Sequence, residues 1–139
     1  MTLNLRDPAT AFAAIALAAV SWDGVLTAAG TRALRHALDY RHPFSGYDNA
    51  AMVQLMDQLL GQLRDQGAQH LMVDASPALN ADQRSTAFAV AVEIMRSDGT
   101  LQADEHNILS NLAAALELPA AITSPLVEAM NVLHADLNV

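Results

Sequence analysis

The chain has 139 residues, 53% apolar but only 4% aromatic, and its 15 acids outnumber seven arginines to give a formal net charge of −8. It contains no cysteine and no lysine, which excludes disulfides, thiolate nucleophiles, thiolate zinc sites, Schiff-base chemistry and a Walker-type phosphate loop. The arginines are scattered with no basic stripe, so nucleic acid is not an expected partner, and the dispersed acids read as a solvated surface.

A chain of this length fits one domain, residues 1–139, able to bury roughly two thirds of its unfolded surface. With few aromatics, the filling must come from Ala, Leu, Val, Ile and Met, the mixture of helices packed on helices. In chain order, the first predicted helix runs from about Ala9 to Trp22 after Pro8 and is apolar on nearly every face, which places it at the centre. Its apolar run is too short to span a bilayer. It has the length of a secretion signal's core, but Arg6 beside Asp7 denies it a net positive start, and a similar segment recurs later in the chain. It is therefore read as structure, and the protein as cytoplasmic, without a membrane partner.

The second helix, about Thr27 to Tyr40, has an N-cap in Thr27 and ends before His42-Pro43. The third starts near Asp48 and carries the stripe Met52, Met56, Leu59, Leu60 and Leu63, with Gly67 as its break. A short fourth helix, Ala68 to about Ala75, leads to Ser76-Pro77. Asn80 and Gln83 have capping-box spacing for the fifth, which runs to about Ser97 and is again apolar on most sides. The sixth, about Gln102 to Glu117, turns Leu101, Ile108, Leu109, Leu112 and Leu116 inward; the seventh is expected to start at Ser124-Pro125 and reach roughly Asp136. No segment reads as a strand of real length, and the connections suit a compact all-α bundle of about seven helices centred on the first and fifth.

Sliding the sequence on itself by 75 positions aligns Asp23-Gly24 with Asp98-Gly99, along with Ala14 and Ala89, Ala16 and Ala91, Leu26 and Leu101, Ala28 and Ala103, and Leu34 and Leu109. An apolar helix, an Asp-Gly turn and an amphipathic helix thus occur twice, in repeat halves of about 9–44 and 84–119. The segment 87–118, AFAVAVEIMRSDGTLQADEHNILSNLAAALEL, resembles the signature region of the TerB-like tellurite-resistance family, through Asp98, Gly99, Leu101 and Glu105; the first half repeats it weakly through Ala11 to Leu38. The resemblance implies an all-α fold with a pseudo-two-fold repeat, a setting in tellurite or general stress resistance, and acidic residues that bind metal ions. The first half departs from the pattern, since Gly30 stands where the second half has Glu105.

The acidic turn does not fit an EF-hand. With Gly99 at the sixth loop position, Asp98 and Glu105 fall on ligand positions, but Ile94 and Arg96 take the first and third and offer no oxygen. Two readings remain. In one, Asp98 and Glu105 share a hydrated divalent ion, assisted by Asp104 or Glu93, with Asp23 as the first-half counterpart. In the other, Glu105 closes a capping box, Asp98 bonds turn amides, Gly99 supplies a positive φ, and Glu93 pairs with Arg96 one turn later. The second explains every residue without an ion.

His36, His42, His70, His106 and His134 form no i, i+4 metal pair and no HExxH, and no GxSxG or SxxK is present. Trp22 and the Met52/Met56 stripe read as core or groove residues. The expected function is therefore a non-enzymatic binding module, holding a divalent cation weakly at the second Asp-Gly turn. The alternative is a metal-free protein-interaction or homodimerisation scaffold, with an exposed apolar patch on the third or seventh helix.

Overall fold

The computed structural model describes residues 4–97, 99–135 and 137. Among them are seven α-helices and no strand: α1 (Pro8–Val20), α2 (Ala28–Asp39), α3 (Asn49–Gln66), α4 (Ala68–Ala75), α5 (Ala81–Arg96), α6 (Ala103–Ala115) and α7 (Ala120–Leu133). Single 3-10 turns at Phe44–Gly46 and Ser76–Ala78 lead into α3 and α5. No helix among the described residues is long and apolar enough to cross a membrane.

Local chemistry sets most of these boundaries. Asp7 caps α1, accepting from the Thr10 amide at 3.0 Å and its hydroxyl at 2.8 Å, with Pro8 as the first helical residue, where a missing N–H costs nothing. The Thr27 hydroxyl accepts from the Gly30 amide at 3.0 Å, and the Asp48 carboxylate from the Ala51 amide at 2.7 Å. Asn80 and Gln83 form a reciprocal capping box at 2.9 Å in each direction. Gly67 ends α3 and opens α4 at φ 90°, in the left-handed region open to glycine.

The seventh helix starts earlier than the Ser124-Pro125 pair predicts. Its N-cap is Pro119, and Pro125 lies inside it. Pro125 removes one i→i−4 bond, leaving the Ala121 carbonyl without its helical donor, but both residues are exposed and water can take its place. Proline at the first helical position and proline on a solvated face give the same sequence signal. The predicted end near Asp136 lies outside the described residues.

Every residue from Ala11 to Ala19 is buried, so α1 is enclosed by the other helices, packing on α4 and α5 most extensively and also on α2 and α3. Its alanines let neighbouring backbones approach closely, while Ile15 and Leu17 fill the space between them. Burying a side chain of that size contributes about 1.5–3 kcal/mol. The α3 stripe is inward as expected, with Met52, Met56, Leu59 and Leu63 buried and Leu60 partly so. α7 is different: it has no fully buried residue and rests chiefly on α5 through Leu126, Val127 and Met130.

Candidate functional site

The two Asp-Gly turns follow the ends of adjacent helices, α1 and α5, and α6 starts beside them. In the first turn the chain leaves α1 at Ser21, whose amide donates to the Leu17 carbonyl. Gly24 stands at φ 83°, its amide on the Ser21 carbonyl at 2.9 Å, and the Asp23 carboxylate accepts from the Val25 amide at 3.0 Å. That is an Asx turn, in which a short acid satisfies a backbone donor two residues on. Arg64 of α3 donates to the Gly24 carbonyl at 3.1 Å and holds the turn in place.

The second turn is fastened from inside. Arg96, the last residue of α5, is buried and donates to the carbonyls of Gly99, Asn131 and His134, joining the turn to the end of α7. Those bonds replace the expected ion pair with Glu93, which is absent among the described residues. Carbonyls at the end of α7 carry the helix's negative partial charge and suit a buried guanidinium. Gly99 stands at φ 132°. Asp98, the leading predicted ligand, lies outside the described residues.

Between the first turn and the start of α6 lies a cleft of about 500 Å³. Trp22 and Asp23 line one side, Ile94 and Met95 the floor, and the first turns of α6 the other side. Asp104 and Glu105 both face it, so three of the predicted acidic residues, Asp23, Asp104 and Glu105, share one cleft. Glu105 also makes the capping contact expected of it, one carboxylate oxygen accepting from the Gln102 amide at 3.0 Å. Glu93 is elsewhere: it lines a separate cleft beside Arg41, Leu126 and Met130.

Asn107 and Asn111 are additional polar residues of the site. Asp104, Asn107, Ile108 and Asn111 are spaced i, i+3, i+4 and i+7, one face of a helix. This polar stripe was present in the sequence, but it runs beside the leucine stripe of α6 and is concealed by it. Carboxylate and amide oxygens are hard donors, suited to Mg²⁺, Ca²⁺ or Mn²⁺ over softer ions. Among the described residues, however, no three His, Cys, Asp or Glu side chains cluster closely enough to hold a metal ion directly.

None of the five histidines lines this cleft. His70 pairs with Asp74 one turn on at 3.0 Å, and His134 has its Nε2 enclosed without a partner among the described residues. Comparison of the chain with family models, with curated proteins and with solved structures finds no match.

Proposed function

We propose that the chain is a non-enzymatic binding module of TerB-like build, a single domain with two pseudo-symmetric halves serving in tellurite or general stress response, and that its acidic cleft takes a hydrated divalent cation weakly. The observation that carries this reading is the convergence of Asp23, from the first turn, with Asp104 and Glu105 on one cleft. An ion that keeps most of its water needs few direct ligands, as Mg²⁺ commonly does. The side-chain amide oxygens of Asn107 and Asn111, which line the same cleft, would accept hydrogen bonds from that water. Asp98 extends the reading to the second turn.

Titration with Mn²⁺, followed by paramagnetic broadening of backbone amides, tests it. Broadening should centre on Asp23, Asp104 and Asn111, be competed by Mg²⁺, and weaken in Asp104→Asn and in Asp98→Asn. Broadening spread evenly over the acidic surface, or unchanged in both variants, would overturn the reading.

A second reading, the metal-free interaction or homodimerisation scaffold, is favoured by α7. Val132 and Leu133 are 77% and 63% exposed at its end, and Leu137, four residues further on, is 94% exposed. Such side chains in proximity mark an interaction surface more often than isolated ones do.

A further inference from the structure

We infer that Arg41 is the anion-holding centre of a second ligand site, one that takes a small organic monocarboxylate with an apolar body. Of the chain's seven arginines, Arg6, Arg32 and Arg64 are exposed to solvent. Arg35 pairs with Asp39 and Arg84 with Glu117, whereas Arg96 is engaged by three carbonyls. Arg41 is half-buried and makes no ion pair among the described residues.

Its guanidinium is nevertheless fixed. Nε donates to the Ala37 carbonyl at 3.0 Å and Nη2 to the Tyr40 hydroxyl at 3.1 Å. Its carbon lies 5.7 Å from the centroid of the Phe12 ring and 5.1 Å from that of Tyr40. Held by two rings and two hydrogen bonds, the group has little rotamer entropy left to lose on binding, and Nη1 has no partner among the described residues.

The space around it matches that chemistry. Arg41 and Thr86 line both a cleft of about 300 Å³, walled by Phe12, Phe44 and Leu79, and a second of about 240 Å³, walled by Val90, Leu126 and Met130. A ligand seated on Arg41 therefore has apolar surface available on either side for its body. Asp82 in the first cleft and Glu93 in the second disfavour a second negative charge, which restricts the class to monoanions. This site shares no lining residue with the acidic cleft, so the two proposals stand or fall separately.

The test is a two-dimensional amide NMR titration of the whole chain with 3-phenylpropionate, and with 3-phenylpropionamide as its neutral isostere. Saturable shifts are expected at Phe12, Arg41 and Thr86 in the millimolar range, with the amide binding about tenfold more weakly, the loss expected when a charge-assisted hydrogen bond becomes a neutral one. Arg41→Gln should lose the preference for the carboxylate, and Arg41→Lys should keep part of it. Equal binding of acid and amide by the wild type overturns the inference without any variant, as does the absence of saturable shifts at these residues. If Arg41→Gln alters shifts throughout the molecule, the acid-against-amide comparison on the wild type decides.

Discussion

Glu117 is a residue in a glycine's place. It stands at φ 57° just past the end of α6, where the Leu118 amide reaches the Ala113 carbonyl at 2.9 Å and the Glu117 amide that of Ala114 at 3.1 Å. This is the Schellman closure of a helix, and its left-handed position costs an L-residue about 1–2 kcal/mol. The compensating contact is weak: Arg84 lies 3.6 Å from a Glu117 carboxylate that is 82% exposed, and exposed pairs contribute little. Glu117→Gly should therefore stabilise the fold by about 0.5–1 kcal/mol after the extra freedom of glycine in the unfolded chain is counted. Thermal unfolding should show a rise of about 2–4 °C, whereas Glu117→Ala, which removes the ion pair and keeps the strain, should show none. A rise in both variants would place the effect on the charge instead of the backbone. Nothing in the sequence marks position 117 as left-handed, because Glu carries no such signal; the strain exists only once α6 must turn sharply into α7.

At the scale of the helix, α7 is the element whose sequence and surroundings agree least. Caps and breaks made the starts of α2, α3 and α5 legible, since Thr27, Asp48 and Asn80 bond amides within their own first turns and such contacts depend on local sequence alone. α4 also ends where the sequence places it, at Ala75 before Ser76-Pro77. The start of α7 was not legible, because Pro125 fits either a helix start or a solvated helix face, and here it is exposed inside a helix that begins at Ala120. The packing of Leu126, Val127 and Met130 against the core leaves Val132 and Leu133 in solvent. The segment 118–135 also carries a single acid, Glu128, so it offers an approach with little like-charge repulsion for two copies of a strongly acidic chain. If α7 is an association surface, sedimentation should reveal a dimer that grows with concentration. The double substitution Val132→Ser, Leu133→Ser should abolish it while moving the melting temperature by no more than about 2 °C, since both side chains are already exposed. A wild type that stays monomeric into the millimolar range would remove the scaffold reading.

Taken whole, the molecule is an apolar bundle under a charge of −8, and that charge bears on how its cleft must be tested. The acidic cleft was partly legible: Asp23, Asp104 and Glu105 could be named from the turns and their spacing, whereas their sharing one space with Trp22 and Asn111 depends on how α1, α5 and α6 assemble. Glu93 was misplaced because its position on α5 gives no sign of which neighbour that face meets, and it meets α7. Fifteen acids repel one another across the folded surface, so any salt should stabilise the fold by screening, with a Debye length of about 10 Å at 0.1 M. Sodium chloride should therefore raise the melting temperature smoothly in the wild type and in Asp23→Asn and Asp104→Asn alike. A bound divalent ion adds to this by mass action, an increment that saturates with its own dissociation constant. Magnesium chloride at matched ionic strength should thus exceed sodium chloride in the wild type, and the excess should shrink when either Asp23 or Asp104 loses its charge. Substituting Asp57, which is exposed on α3 and outside the cleft, should leave the excess intact. An excess reduced equally by all three substitutions would reflect the surface as a whole, because diffuse attraction depends on the total charge and not on which acid carries it.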